Sequence, residues 1–151
     1  MFNPTTTIIH SFKEIPVDSE FFKYTRLIPI IGFVIQLSKL FILRKEIYTD
    51  SLNSPGISDQ VKLKKYKQAQ MKVKQMEHLK RVTEHGQGVD ILMVITGIAI
   101  AKFMLLPTLA YSVIAAGILV GVSRCVIPFI MISSTQAYLK QNNPKQKGRL
   151  H

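Results

Sequence analysis

The sequence has no tryptophan and a single cysteine, Cys125, so no intramolecular disulfide can staple it. Acid is scarce as well: nine Asp and Glu face twenty Lys and Arg, for a formal net charge of +11. The sharpest shortage is local. Between Ile91 and Ile132 the only charged side chains are Lys102 and Arg124. A soluble domain of this size has no core thick enough to hide such a run, whereas one membrane span takes roughly 20 apolar residues. Signatures of catalysis are missing too: there is no glycine-rich phosphate loop, no nucleophile elbow and no paired-cysteine site. No enzyme, no cofactor and no metal are expected. The first ten residues carry no Lys or Arg and lead to no small-residue cleavage site, so no secretory signal peptide is read there.

What is present is helix-forming material with a few clear breaks. Residues 1–25, rich in Thr and Ile and broken by Pro4 and Pro16, read as a mobile arm. Residues 26–45 hold a first apolar stretch, LIPIIGFVIQLSKLFIL over 27–43, with Pro29 suited to a first helical turn. Gly32, Gln36 and Lys39 share one stripe of that helix. At about 25 Å the stretch falls short of a hydrocarbon layer, so it reads as an interfacial or partly inserted helix. Residues 46–57, containing DSLNSPG, form the linker.

Residues 58–86 form a long amphipathic helix, with Ser58 or Asp59 as N-cap and Gly86 and Gly88 as the stop. Leu63, Tyr66, Ala69, Val73, Met76, Leu79 and Val82 recur every three or four residues and make one apolar face. The remaining surface is dominated by Lys62, Lys64, Lys65, Lys67, Lys72, Lys74, Lys80 and Arg81. Three uses of this helix stay open: packing of the stripe on residues 27–43, contact of the lysines with anionic lipid headgroups, or docking of a partner protein. Because the positive charge flanks an apolar run, membrane lipid rather than nucleic acid is the expected counterpart. His78 and His85 stand seven apart on this helix, a spacing unlike that of a zinc-binding H-E-x-x-H.

Residues 89–132 read as a transmembrane hairpin turning at Pro107. Asp90 and Arg124 each lie seventeen residues from that proline. Both are therefore about 25 Å from the turn and meet at one level in a closed hairpin of two antiparallel helices. Lys102, near the turn, can snorkel to the far interface. Gly117 and Gly121 form a G-x-x-x-G, and Gly97 with Ala101 a small-x-x-x-small pair on the other helix. They suit close packing within the hairpin or a homo-oligomer contact. Cys125 reads as a small buried hydrophobe, with palmitoylation the alternative. Residues 133–151 are a basic tail. Positive flanks on both sides of a short turn put both flanks in the cytosol.

The fold class is thus an all-α membrane protein: a two-helix hairpin preceded by a basic amphipathic helix and an apolar N-terminal helix. The bilobed apolar region, 91–106 plus 108–132, resembles the inclusion membrane proteins of chlamydiae, and MFNPTTTIIHS at the start resembles their charge-poor type III secretion signals. The segment RLIPIIGFVIQL is similar to apolar segments of small chlamydial membrane proteins. The resemblance implies secretion into a host-derived inclusion membrane with both termini in host cytosol; otherwise the bacterial inner membrane is expected. It brings no functional residues with it. The first expectation is a membrane-anchored interaction or scaffold protein. The alternatives are a holin-like or pore-forming oligomer and an accessory subunit of a bacterial membrane complex.

Overall fold

The computed structural model describes residues 10–25, 27–50, 56–103 and 107–144. These residues are helical, with no strand among them. After a helical turn at 10–14 come α1 (Glu20–Thr25), α2 (Pro29–Thr49), α3 (Asp59–Glu84), α4 (Gln87–Phe103) and α5 (Pro107–Gln141). Pro29 opens α2 and Pro107 opens α5, where a missing amide proton costs nothing. The turn residues 104–106 before Pro107 lie outside the described residues, as do residues 51–55 of the linker and 145–151 of the tail, while 46–49 of the expected linker are the end of α2.

Ser58 precedes α3 in extended conformation without a side-chain cap hydrogen bond. Only His85 and Gly86 separate α3 from α4, and backbone bonds from Gly86 N to Thr83 O and from Val89 N to Gly86 O carry the chain across that break. Pro128 sits inside α5, which nevertheless continues to Gln141, so the first nine residues of the expected tail are helix. Together α3 and α4 lie antiparallel to α5. Gln136 bonds Glu77, Lys80 covers the Phe129 ring, and Arg124 meets first Thr83 and then Asp90. The α2 helix runs parallel to the second half of α5, from Pro29 beside Arg124 to Tyr48 stacked on Tyr138 with ring centroids 4.4 Å apart. It therefore packs beside the upper bundle rather than alongside the α4–α5 hairpin.

The apolar core belongs to that upper bundle. Leu40 and Ile47 of α2, Val73, Met76 and Leu79 of α3, and Met131, Ile132 and Leu139 of α5 are buried together. The apolar stripe read on α3 is thus consumed inside the protein. Residues 10–25, expected as an arm, are packed on the same core: Val17 and Phe22 are buried in it and Phe12 and Ile15 lie against it. They are tied down by Lys39, whose Nζ donates to the carbonyls of Lys13 at 2.6 Å and Phe12 at 3.3 Å. The sequence pattern of this segment has no single period because it is a strap of two short helical pieces, 10–14 and α1, rather than one continuous helix.

Below the bundle the packing inverts. Within α4 and the first half of α5 the buried residues are Asp90, Gly97, Ala110, Gly117, Val120 and Arg124, while Ile91, Leu92, Ile95, Ile98, Leu119 and Val122 are exposed. Two helical stretches among the described residues, Asp59–Phe103 and Pro107–Gln141, are long and apolar enough to cross a membrane; α2 is not one of them.

Candidate functional site

The hairpin closes with its backbones in contact. A Cβ added at Gly117 would fall 2.9 Å from Val94 Cγ2 and 3.1 Å from the Asp90 carbonyl oxygen; one at Gly97 would fall 2.6 Å from Ile114 Cγ1 and 3.1 Å from the Ala110 carbonyl oxygen. Both glycines are therefore spent within the hairpin, the first of the two uses the sequence left open. Gly121 is looser, with Asp90 Cβ 3.7 Å away, and Ala101 is exposed near the tip. Lys102 is exposed there as well, its ammonium 5.8 Å from the centre of the Phe103 ring.

This close approach brings Asp90 and Arg124 together. Arg124 Nε lies 3.0 Å from Asp90 Oδ2, an ionic contact set off the hydrogen-bond direction, and its Nη2 donates to Oδ1 at 3.4 Å. Sequence counting put the pair at one level of the hairpin. In the structure Arg124 is 0% and Asp90 3% exposed, because four helices converge there. Nη2 also donates to the Pro29 carbonyl at 3.0 Å, and Nη1 reaches the Thr83 carbonyl at 3.5 Å. The guanidinium stands over the Phe33 ring, 5.9 Å from its centroid. Arg suits this role because its planar fork serves several acceptors at once, which Lys could not. The Pro29 carbonyl opens α2 and the Thr83 carbonyl sits in the last turn of α3. One side chain therefore joins the ends of two helices to the hairpin. Sequence reasoning missed both carbonyls, since backbone acceptors leave no mark in residue type.

Gln36 was legible only as part of a polar stripe. It is fully buried, and neither amide atom has a hydrogen-bond partner among the described residues. On its outer side α2 exposes Ile30, Ile31, Val34 and Phe41. The inward face of α2 is thus mixed, with Gln36 and Lys39 buried beside Phe33, Leu40, Leu43 and Ile47.

At the opposite end of α2, Glu46 takes Lys13 at 2.7 Å and Lys72 at 3.2 Å, and Lys72 also meets Asp50 at 3.2 Å. Burial works to raise the Glu46 carboxyl, but bonding and charge from Lys13 and Lys72 outweigh it and hold the group below its ordinary value. The same contact with Glu46 raises Lys13.

The structure divides the basic residues of α3 into two sets. Lys62 pairs with Asp59, Lys72 with Glu46 and Asp50, and Lys80 with Glu84. Lys65 is half-buried. Lys64, Lys67, Lys74 and Arg81 are exposed and make no ion pair among the described residues. His78 bonds Asp18 at 2.6 Å and His85 Nδ1 lies 2.7 Å from the Arg81 carbonyl oxygen. Cys125 is half-buried and its Sγ accepts from the Gln87 amide. In comparisons with known proteins, the chain matches no family model, no curated protein and no solved structure.

Proposed function

We propose that this chain is an integral membrane protein in which α4 and the first half of α5 form the anchor and the upper bundle serves as a non-catalytic interaction platform. The observation that carries the reading is the inverted packing of the hairpin. Its large aliphatic side chains face outward while its one ion pair and its small residues face inward. Water would charge about 25 cal/mol for each Å² of such surface left exposed, and contiguous patches of this kind are rare on soluble monomers. Hydrocarbon reverses that sign.

The lengths agree with a single crossing and return. From Arg81 to Lys102 the chain rises about 32 Å, close to the roughly 30 Å of a hydrocarbon layer. Lys80 and Arg81 then mark the headgroup level on one side and Lys102 reaches the other by snorkelling. The ion pair lies about 14 Å below the Arg81 level, well inside the hydrocarbon, where its burial and its carbonyl partners make chemical sense. Exposed Ile30, Ile31 and Val34 in the first turns of α2 would face lipid at that same depth, with the rest of the helix rising from it. Basic flanks favour the cytosolic side for the bundle.

In its finer form the proposal is a type III secreted protein of the inclusion-membrane kind, supported by the bilobed apolar region and the charge-poor start of the sequence. Anchoring is tested in a Cys125→Ser background with single cysteines at Ile95 and Lys74. Protection of the first and labelling of the second by a membrane-impermeant maleimide is expected; equal labelling would overturn the anchor. Secretion is tested by a reporter fused to residues 1–20, with export expected only through a working type III apparatus.

A further inference from the structure

The exposed side chains of α3 fall into a pattern. Lys64, Lys67, Met71, Lys74, His78 and Arg81 follow the spacing i, i+3, i+7, i+10, i+14, i+17, and all six are exposed; His78 is bonded to Asp18 of the strap, while Lys64, Lys67, Lys74 and Arg81 make no ion pair among the described residues. They occupy a sector of roughly 100°, opposite the buried Ala69, Val73, Met76 and Leu79. The lysines tied up in ion pairs, Lys62, Lys72 and Lys80, flank the buried face instead. The outer face is therefore a straight row, one helix wide and about 26 Å long, on which Lys64, Lys67, Lys74 and Arg81 have no counter-charge among the described residues and Met71 is 61% exposed.

We infer that this row is the docking face for an acidic α-helix of a partner protein, laid along α3 with carboxylates at heptad spacing. The inference rests on the anchored-platform reading and names the partner class of that platform. Three observations select this occupant. A second copy of the chain is disfavoured, because the face is cationic and the protein carries only nine acids against twenty bases. The membrane that holds the hairpin is disfavoured, because α3 runs away from it and only the Arg81 end approaches the hairpin. The seven-residue repeat keeps the cations on one straight line, so an acidic helix laid along α3 meets each of them in turn, and such charge complementarity sets partner choice.

The test uses the full-length protein in phosphatidylcholine nanodiscs. The probe is a labelled helical peptide of about three heptads with Glu at the two facing positions and one Leu to meet Met71. Its controls are a Gln version and a shuffled version of the same composition. The heptad peptide is expected to bind at least tenfold more tightly than either control. That preference is lost in Lys64→Gln/Lys67→Gln/Lys74→Gln/Arg81→Gln. It is retained in Lys23→Gln/Lys45→Gln/Lys140→Gln/Lys147→Gln, which removes equal charge elsewhere. Circular dichroism of both variants checks the fold. Equal binding of heptad and shuffled peptides overturns the proposal. So does tighter binding of a single-stranded RNA oligonucleotide or of phosphatidylserine vesicles through the same four residues. Nanodisc incorporation is scored separately. Failure to incorporate refutes the anchor, and failure to bind after incorporation refutes the docking face alone.

Discussion

Arg124 on α5 and Asp90 at the start of α4 meet at 3.0 Å, Nε to Oδ2, with both side chains buried. The arginine is also held by the Pro29 and Thr83 carbonyls, so the ion pair is the point at which the hairpin is joined to the bundle above it. Removing one partner leaves a buried charge without compensation, which costs about 3–5 kcal/mol, while removing both together is often close to neutral. Arg124→Leu and Asp90→Leu alone should each destabilise the fold by that order, and the double substitution by much less. Chemical unfolding in detergent micelles measures the cycle, and additive losses would count against the coupling. The charge swap Arg124→Glu with Asp90→Lys should recover only part of the stability, because a glutamate cannot donate to the two carbonyls.

The three hairpin glycines should differ in sign. Alanine favours helix over glycine by about 1 kcal/mol, but overpacking costs about 1–3 kcal/mol. At Gly117 and Gly97 a Cβ meets backbone atoms of the facing helix at 3.1 Å, and backbone cannot step aside. Gly117→Ala and Gly97→Ala should therefore lower hairpin stability. Gly121→Ala meets only ordinary contact at 3.7 Å and should be neutral or stabilising. Thermal melts of the three variants decide the matter, and a uniform response would remove the close-approach argument.

The hairpin and the level of Asp90 with Arg124 could be read from the sequence because helix rise is constant and the apolar run is nearly uninterrupted. The apolar stripe of α3 was legible for the same reason, as periodicity. The role of residues 10–25 was not, since Phe12, Ile15, Val17 and Phe22 reach the core from a strap without a regular period. Nor was the orientation of α2. The sequence shows that Gln36 and Lys39 share a face, but it does not say which face turns inward, and here both are buried beside Leu40 and Ile47. The division of lysines into paired and free sets also depends on tertiary neighbours such as Glu46, which is remote in sequence from Lys72.

Gln36 offers a test of that inward-facing stripe. A buried polar group without a partner costs about 1–3 kcal/mol, and an apolar side chain of similar size removes that cost. Gln36→Leu should therefore raise stability by about 1 kcal/mol or more, against the usual trend for core substitutions. Unfolding midpoints compared in the same detergent give the answer. A destabilised variant would mean that the amide is satisfied by ordered water.

The strap should come loose in acid. Glu46 has a folded value below its ordinary 4.5, so the stability it contributes is complete above about 4.5 and disappears as pH falls through the folded value. Lys13 is raised above 10.5, so its share is complete below that pH and is lost only in strong alkali. Across the neutral range the Lys13–Glu46–Lys72 cluster is therefore fully engaged, and the acid limb belongs to Glu46. Glu46→Gln should be less stable than the parent protein at pH 7, and the gap should narrow steadily below pH 4.5 as the parent's own carboxyl is protonated. Hydrogen exchange of residues 10–25 reads the effect locally, with faster exchange expected in the variant at neutral pH and a difference that shrinks as pH falls below 4.5. A gap that did not shrink at all as pH falls through the acid transition would show that the carboxylate's charge does not hold the strap.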